Sequence, residues 1–205
     1  EPLIHLVGEQ MRTVFRADIA YVALLDEARS MINFPYTYGE ELTPLPFGEG
    51  LTSKIIQTGE ALLINQEMDR QAADLGAAVI GKQALSYLGV PIFVSGKPVG
   101  VISVQSTERE GVFNLNDENL LNTLAATVGT ALNNAQLFTE LQNQKKYSEV
   151  LIDFLPDATL VIDAEGTVIA WNRAIEEMTR VKAQDMLGKN EHAYALPFYG
   201  ERRPI

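Results

Sequence analysis

Apolar positions in the first part of the chain have helical spacing at first and then the pattern of strands. Positions 3–15 repeat every three or four residues, which predicts an amphipathic helix. The runs 19–25 and 31–38 are short and rich in β-branched and aromatic side chains, and the polar stretch DEARS separates them. The pattern therefore predicts a helix followed by an antiparallel hairpin.

A second helix follows a glycine-rich turn. Gly48-Glu49-Gly50 precedes apolar positions with helical spacing over about 52–57, and Gly59 is placed to end that helix. Residues 61–64 return to a strand pattern. Residues 66–82 are polar and then rich in alanine, so we expect a mobile loop with one helical turn there.

The clearest hairpin signal lies in the middle of the chain. Runs 86–94 and 98–105 are rich in β-forming residues, and Ser95-Gly96-Lys97 joins them. Glycine readily adopts the left-handed conformation that a tight turn requires. We therefore predict two adjacent antiparallel strands.

A long helix is predicted over about 116–144, with Asn116 or Asp117 as its N-cap. One apolar stripe of this helix has the alternating three- and four-residue spacing of a helix seam. Its residues are Leu121, Leu124, Val128, Ala131, Ala135 and Phe138. This stripe can cover the helix's own sheet, form a dimer seam, or do both with two neighbouring stripes. We expect homodimerisation through this helix.

The seam ends in the stretch QNQKKYSE, residues 142–149, which we interpret as a helical connector closed by the helix breaker Pro156. Runs 158–162 and 167–171 then predict a second hairpin, and Asn172 is placed to cap a helix that reaches about residue 180. No third strand is recognised before residue 205. Two strands with short helices seldom form an independently stable sheet.

Composition excludes several classes of partner and chemistry. The 205 residues carry a formal charge of −11 without a lysine or arginine block, which argues against nucleic acid and anionic membranes. Cysteine is absent, so disulfides, thiolate metal sites and thiol nucleophiles are excluded. The longest apolar run, 20–25, is far shorter than a membrane span of ~20 residues. We expect a cytoplasmic piece of a longer protein.

The order of these elements and their motifs resembles a known family. GEGLT, LGVPIF and GKPVGVISVQS, in that order before a long helix, resemble the GAF family over about residues 3–140. The stretch PDATLVIDAEGTVIAWNRAIEEMTR, with LGK downstream, looks like the first half of a PAS domain over about 150–205. The interpretation is a GAF-like domain at 1–141, a helical connector at 142–152 and a truncated PAS-like domain at 153–205.

The resemblance implies an α+β fold in which helices flank an antiparallel sheet, with a pocket for a small molecule between sheet and loops. It also implies a non-catalytic sensory region of a prokaryotic signal-transduction protein, such as a histidine kinase of a two-component system or a cyclic-di-nucleotide enzyme. The ligand would act through the long helix. The alternative is a dimerisation or interaction module without a ligand.

Strand alternation within this fold predicts which side chains are buried and which line the pocket. The sheet is expected to bury the following residues or their alternating neighbours: Val22, Leu24, Ile32, Phe34, Val90, Ile92, Val101 and Val104. The expected pocket wall is apolar with a few hydroxyl groups, as suits a small organic ligand. It comprises Phe34, Tyr36, Phe47, Leu51, Ile55, Leu62, Ile64, Tyr87, Gly89 and Ser103.

Two glycine motifs resemble phosphate-binding loops but depart from them. Residues 76–83 nearly spell the G-x-x-x-x-G-K-[ST] loop, yet Gln83 replaces the hydroxyl residue and no buried strand precedes the motif. The turn 48–53 resembles G-x-G-x-x-G, with Ser53 in place of the third glycine. We interpret this turn as a pocket wall, with anion contact as the alternative.

Other ligand classes have less support in the sequence. Phe113, Asp117 and Glu118 match the tail of a motif of cyclic-nucleotide-binding GAF domains, but the upstream half is missing, so a structural role is favoured. Without cysteine, neither a covalent bilin nor a flavin adduct can form. His5 and His192 are lone histidines, which disfavours haem, and the cofactor remains unknown. No catalytic residues and no metal ligands are predicted.

Overall fold

The computed structural model describes residues 2–77 and 81–204. It divides into two compact units, Glu1–Ala135 and Gln136–Ile205. The first unit has two hydrophobic clusters and the second unit has one of its own.

The described part of the first unit forms a six-stranded antiparallel sheet in the order β3-β2-β1-β6-β5-β4. The strands are β1 (Ile19–Asp26), β2 (Met31–Tyr38), β3 (Leu45–Pro46), β4 (Leu62–Ile64), β5 (Ser86–Val94) and β6 (Lys97–Ser106). The helices are α1 (Pro2–Phe15), α2 (Gly50–Thr58), α3 (Met68–Asp74) and the start of α4 (Leu115–Phe154). The predicted α+β class, with helices flanking an antiparallel sheet and a long helix after it, is confirmed.

Helices cover both faces of the sheet. On the face that we call the back face, Val22, Val90 and Ile102 pack with α1 and with the first turns of α4. On the opposite or front face, Ile32 and Val101 pack with α2, α3 and β4. Because both faces are buried, the strands read as nearly continuous apolar runs rather than as alternating ones.

The strand residues predicted to be buried belong to both faces. Val22, Val90, Ile92 and Val104 lie in the back cluster, whereas Ile32 and Val101 lie in the front cluster. Leu24 and Phe34 are only partly buried, against the back and the front cluster respectively. The predicted set of buried residues therefore mixes residues that face the back of the sheet with residues that face the front.

Local signals explain where the elements end. Ser95 and Gly96 both have positive φ, at 50° and 78°, and Val94 pairs with Lys97. The hairpin is where the sequence predicts it, but its turn has two residues, and Lys97 belongs to β6 rather than to the turn. Gly59 ends α2 in the left-handed conformation, and its N–H donates to the carbonyl of Ile55 over 2.8 Å.

The long helix α4 begins earlier and ends later than the sequence predicts. Asn114, rather than Asn116 or Asp117, is its cap: the Asn114 side chain accepts from the N–H of Asn116 over 2.8 Å. Asp117 reaches back to the N–H of Asn114 over 2.9 Å, which completes a reciprocal cap. At its other end the helix reaches Phe154, because no helix breaker precedes Pro156.

The second unit contains the remainder of α4 and a small two-stranded sheet, β7 (Leu160–Ile162) and β8 (Val168–Trp171). The helices α5 (Arg173–Thr179), α6 (Ala183–Met186), a short 3-10 helix (Ala193–Ala195) and α7 (Leu196–Tyr199) follow. As predicted, Asn172 caps α5, and its side-chain oxygen accepts from the N–H of Ile175 over 3.1 Å. Val168, Trp171, Ile175 and Met186 are buried in this unit's own cluster.

A candidate ligand cavity on the front face

A small cavity lies between the front face of the sheet and the start of α2. Its volume is about 50 Å³. Strands β1 and β2, the first turn of α2 and Met68 of α3 surround it. The described lining residues are Tyr21, Ile32, Phe34, Glu40, Leu42, Leu45, Glu49, Gly50, Leu51, Thr52, Met68, Lys82, Tyr87 and Gln105.

Four buried hydroxyl groups meet on this face, and we call Tyr21, Thr52, Tyr87 and Ser103 the hydroxyl cluster. The phenol oxygen of Tyr21 lies 2.8 Å from Thr52 Oγ1 and 3.2 Å from the phenol oxygen of Tyr87. Ser103 Oγ is buried and, among the described residues, makes no hydrogen bond. Buried polar atoms are normally hydrogen-bonded, so an unpaired one beside a cavity marks a place for an additional partner.

Strand register brings this cluster together. Ser103 of β6 pairs with Tyr21 of β1 on one side and with Gly89 of β5 on the other, so the three residues form one row across the sheet. Tyr87 is two residues before Gly89 on the same strand and shares its face. Thr52 joins them from the first turn of α2.

Gly89 leaves room for the Tyr87 side chain. A Cβ atom at position 89 would lie 2.6 Å from the phenol oxygen of Tyr87 and 2.6 Å from Ile55 Cδ1, which is far inside van der Waals contact. Any larger residue would have to displace both side chains. Packing therefore explains why the motif LGVPIF has glycine at position 89.

The charged lining residues stand at the mouth of the cavity. Glu40 Oε1 accepts from the backbone N–H of Lys82 over 2.8 Å, and Lys82 Nζ donates to the carbonyl of Gly39 over 2.7 Å. Glu49 and Lys82 are exposed, and Glu40 is half-buried. These bonds join the end of β2 to the segment that contains Lys82.

The structure groups nine of the ten predicted pocket residues on the front face. Phe34, Leu51 and Tyr87 line the cavity directly. The other six, which lie around the cavity in the same part of the core, are Phe47, Ile55, Leu62, Ile64, Gly89 and Ser103.

The tenth residue, Tyr36, lies on the back face, so its predicted place in the pocket wall is wrong. The register of β1 against β2 shifts by one residue between Val22 and Leu24, which is a β-bulge next to Phe34 and Pro35. Simple alternation puts Phe34 and Tyr36 on one face, but the extra residue reverses the phase between them. Tyr36 instead donates a hydrogen bond to Glu9 of α1 over 3.1 Å.

Several cavity residues were missed by the sequence analysis. Tyr21 is the only hydroxyl residue in the apolar run IAYVALL, and a lone polar atom in a buried strand is a signal that it has a partner. Thr52 and Gln105 follow the same logic. Glu40 and Lys82 carry no such signal, because their meeting depends on how two loops fold.

The tyrosines give a pH-dependent prediction. Burial raises the pKa of Tyr36 from 10.0 to about 12, and the hydrogen bond to Glu9 adds to the rise. Burial raises the pKa of Tyr87 well above 10.0, and Tyr21 beside it contributes. An exposed tyrosine in the unfolded chain ionises near pH 10, before either residue does in the fold.

The stability that the neutral phenol of Tyr36 contributes is therefore complete below pH 10 and is lost as the pH rises to about 12. Ultraviolet titration of the folded chain should show two tyrosines that ionise late. Tyr36→Phe should remove one of them and Tyr87→Phe the other. Ionisation of all seven tyrosines in one step near pH 10 in the folded chain would contradict this assignment.

The predicted dimer seam is divided by the structure. Leu121 and Val128 are fully buried in the back cluster, so they cannot meet a second chain without leaving their own core. Leu124 and Ala131 are partly buried, whereas Ala135 and Phe138 are exposed. The apolar stripe winds around the helix, so its first half covers the sheet and its C-terminal end is exposed.

The described residues of the remaining motifs and the two histidines form no additional site. Ala78, Val79 and Ile80 of the P-loop-like segment lie outside the described residues. His5 packs edge-on against Tyr36 in the first unit, and His192 contacts Tyr194 in the second. Within 2–77 and 81–204, no group of three or more potential metal ligands occurs. In the same part of the chain, no helix is both long and apolar enough to span a membrane.

The other two motifs pack against the core. In the turn 48–53, the N–H of Gly48 donates to Ser53 Oγ over 3.1 Å, while Gly50 and Thr52 contribute to the cavity wall. Phe113 is buried in the back cluster, and Asp117 belongs to the reciprocal cap of α4. These contacts account for both motifs structurally.

Comparison with known proteins agrees with this architecture. The GAF domain family matches residues 3–133, and the PAS fold matches residues 146–197. A curated relative, the probable 3',5'-cyclic phosphodiesterase pde-5 of Caenorhabditis elegans, is 26% identical over 132 residues. The match covers 63% of this chain but only 17% of that relative, so the chain corresponds to a small part of it.

Solved structures show the same fold for the first unit. The GAF domain of an Acinetobacter phosphoenolpyruvate-protein phosphotransferase superposes with a TM-score of 0.56 at 19% identity, over 66% of this chain and 91% of that chain. The free methionine-R-sulfoxide reductase of Neisseria meningitidis, solved with its substrate, gives a TM-score of 0.54 at 19% identity, over 62% and 76%. GAF and PAS domains are sensory and regulatory modules. This chain belongs to the GAF domain family, and a region with the PAS fold follows its GAF domain.

Proposed function

We propose that this chain is the non-catalytic sensory region of a signal-transduction protein, in which the front-face cavity binds a small molecule and α4 transmits its presence. The observation that carries the proposal is the hydroxyl cluster beside the cavity, with Ser103 Oγ buried and unpaired. Buried hydroxyl groups in the wall, with an unsatisfied one next to them in the sheet, suit a ligand better than they suit a purely structural core.

The cavity constrains the ligand's size. Cavities that enclose drug-sized molecules measure about 300–1,000 Å³, whereas this one measures about 50 Å³. The occupant therefore has only a few heavy atoms, or the wall moves to admit it. At the edge of the wall, Lys82 is joined to Gly39 and Glu40 by hydrogen bonds that are exposed to solvent, and such bonds open more easily than buried ones.

A hydrogen-bonded clamp connects the cavity side of the sheet to α4. Asn65 follows Ile64, which is buried in the front cluster. The Asn65 side chain donates to the carbonyl of Phe113 over 2.6 Å and accepts from the Phe113 N–H over 3.3 Å. Phe113 lies just before the first residue of α4, Leu115. Strand β4 does not line the cavity but packs in the same cluster as its wall, so a shift of that cluster that moves β4 would move the start of α4.

Asn65→Ala should uncouple the cavity from α4. The change leaves the carbonyl and N–H of Phe113 without these partners, which costs about 1–3 kcal/mol of unfolding free energy. Binding at the cavity should survive, whereas the change in α4 on binding should be lost. Thermal unfolding measures the first effect, and hydrogen exchange of α4 measures the second.

Asp18→Ala is the matched control for Asn65→Ala. Asp18 Oδ2 accepts from Ser106 Oγ over 2.9 Å and from the N–H of Thr107 over 2.8 Å, so its loss has a comparable cost but leaves the clamp intact. The coupling mechanism would be rejected if both variants behaved alike in hydrogen exchange.

Native mass spectrometry of the chain, purified gently from its own cells, tests ligand binding. We expect an added small mass in the unaltered chain. Leu42→Trp should abolish that mass, because Leu42 lines the cavity and the larger ring would fill it. An unliganded mass in both samples would favour the rival function, an interaction module without a ligand.

Dimerisation through α4 is the second candidate function. From residue 134 to 151 nearly every position of α4 is exposed. Large apolar side chains nevertheless occur there, including Leu137, Phe138 and Leu141, at 55%, 62% and 65% exposure. Helical segments without tertiary contacts are only marginally stable in water. We propose that a second copy of the chain packs along this segment.

Leu137→Glu combined with Leu141→Glu should convert the dimer to a monomer, because two charges would be buried without partners. Analytical ultracentrifugation measures the change in mass. The control places the same two charges at Gln142 and Asn143, which are exposed polar positions on the same helix. A monomeric unaltered chain, or equal masses for both double variants, would contradict the interface.

The finer assignments follow from the same proposal. We place the sensor domain at 1–141, the helical connector at 142–152 and the PAS-like domain at 153–205, in a cytoplasmic protein whose output is a histidine kinase or a cyclic-di-nucleotide enzyme. The support is the uninterrupted helix α4, which runs from the first unit into the second.

A further inference from the structure

The charge distribution around the cavity is uneven. Among the described lining residues, Glu40, Glu49 and Lys82 are charged. Glu49 and Lys82 are exposed, whereas Glu40 is half-buried and its Oε1 already accepts from the backbone N–H of Lys82. The buried lining residues carry hydroxyl groups and apolar side chains, and the half-buried Gln105 adds an amide. Among the described lining residues, no fully buried side chain carries a charge that could neutralise a buried ion.

Hydroxyl and amide groups both donate and accept hydrogen bonds. The Tyr21, Thr52 and Tyr87 hydroxyls line the cavity, and either atom of each hydrogen-bonded pair can donate. Next to them, Ser103 Oγ lies near the Tyr87 phenol but makes no hydrogen bond of standard geometry to a described residue. Burial raises the pKa of Tyr87 well above its ordinary value, so its phenol stays neutral at physiological pH. The inner wall can therefore match an amide, a hydroxyl or a carbonyl, but its described buried side chains offer no countercharge.

One feature of the wall favours an anion. The first residues of α2, Gly50 to Thr52, line the cavity, and the N-terminus of a helix attracts negative charge. Glu49 immediately precedes α2 and already places a carboxylate at that end. The nearby ammonium of Lys82 donates to the carbonyl of Gly39. A buried ion without a countercharge is strongly disfavoured, so the wall as a whole opposes a charged ligand.

We infer that the cavity selects an uncharged, hydrogen-bonding small molecule over an anion or a cation, and hence that a cyclic nucleotide is not its ligand. This inference rests on the proposed ligand-binding function and specifies its ligand class. It predicts that molecules of the same shape bind with affinities that depend on their charge.

A fragment library of matched triples tests this selectivity. Each triple carries an amide, a carboxylate and an amidine on one skeleton, as in benzamide, benzoate and benzamidine. Binding is followed by chemical shift changes in the intact chain, with the signals of Tyr21, Thr52 and Gln105 reporting on the cavity. Neutral members should bind at the cavity at least tenfold more tightly than their charged partners. Cyclic AMP with adenosine, and cyclic GMP with guanosine, extend the comparison.

The outcomes separate the two proposals. Tighter binding of carboxylates, amidines or cyclic nucleotides at the cavity would overturn the ligand class while leaving the ligand-binding function standing. Equal binding of all three members of a triple would overturn the ligand class as well. Failure of every fragment to shift the cavity signals would count against the ligand-binding function itself, and the inference would fall with it.

A substitution of Gln105 provides a gain of function. Gln105 lines the cavity and is half-buried, so Gln105→Lys would place an ammonium in the wall. Carboxylate members should then bind at least tenfold more tightly than in the unaltered chain. Gln105→Met, which has similar size and no charge, is the control. No gain for carboxylates in a folded Gln105→Lys chain would contradict the role assigned to wall charge.

Discussion

Replacement of Gly129 by alanine should lower the unfolding free energy of the GAF unit by about 3 kcal/mol or more, as strong overpacking does. The same change inside an ordinary helix raises stability by about 0.5–1 kcal/mol, because glycine is the more flexible residue when unfolded. Here a Cβ atom would lie 2.2 Å from the carbonyl oxygen of Phe93, which is a backbone atom and cannot rotate away. The helix α4 would have to move off the sheet.

Urea denaturation measures this effect. Asn134→Ala, an exposed position of the same helix, is the control and should be neutral or slightly stabilising. If Gly129→Ala were as stable as this control, α4 would not lie against β5 as closely as described.

Gly89→Ala should both destabilise the fold, by about 1–3 kcal/mol, and remove ligand binding. The new Cβ would lie 2.6 Å from the Tyr87 phenol oxygen and from Ile55 Cδ1, which are both in the front-face core. Their displacement would break the contact between Tyr87 and Tyr21. Chemical denaturation and fragment binding measure the two losses.

A double-mutant cycle gives Gly89→Ala its control. Tyr87→Phe removes one of the clashing atoms and Ile55→Val removes the other, so each should recover part of the stability that alanine costs. Strict additivity of these substitutions would mean that the glycine does not make room for the two side chains.

Local chemistry made much of the fold predictable. Hairpin turns and helix ends depend on one or two residues, as at Ser95-Gly96 and Gly59, and both were located correctly. The motif order then supplied the family and with it the antiparallel sheet. Strand β3 was missed because Leu45 and Pro46 are too few to show a period.

The cavity could be predicted only in part, for reasons of register and assembly. Alternation placed Phe34 correctly, but one extra residue at the bulge sent Tyr36 to the other face. The bond between Glu40 and the backbone of Lys82 joins residues 42 positions apart in loops, where no periodic signal exists. Burial on both faces also hid Tyr21, because nearly continuous apolar strands show no preferred face.

The α4 seam shows a related difficulty. A heptad-like stripe predicts that one face is buried but does not identify what covers it. Leu121 and Val128 meet the helix's own sheet, whereas Phe138 stays exposed. The N-terminal part of the stripe therefore packs against its own sheet, whereas the partner of the C-terminal part is unassigned.

Hydrogen exchange of α4 in a chain whose cavity is permanently filled tests the central claim most directly. Leu42→Trp fills the cavity without any ligand, and Leu6→Trp makes the same change at a surface position of α1 that is 57% exposed. We expect altered protection of the α4 amides around Leu121 to Val128 in the first variant and none in the second. Identical protection in both folded variants would show that α4 does not respond to the cavity.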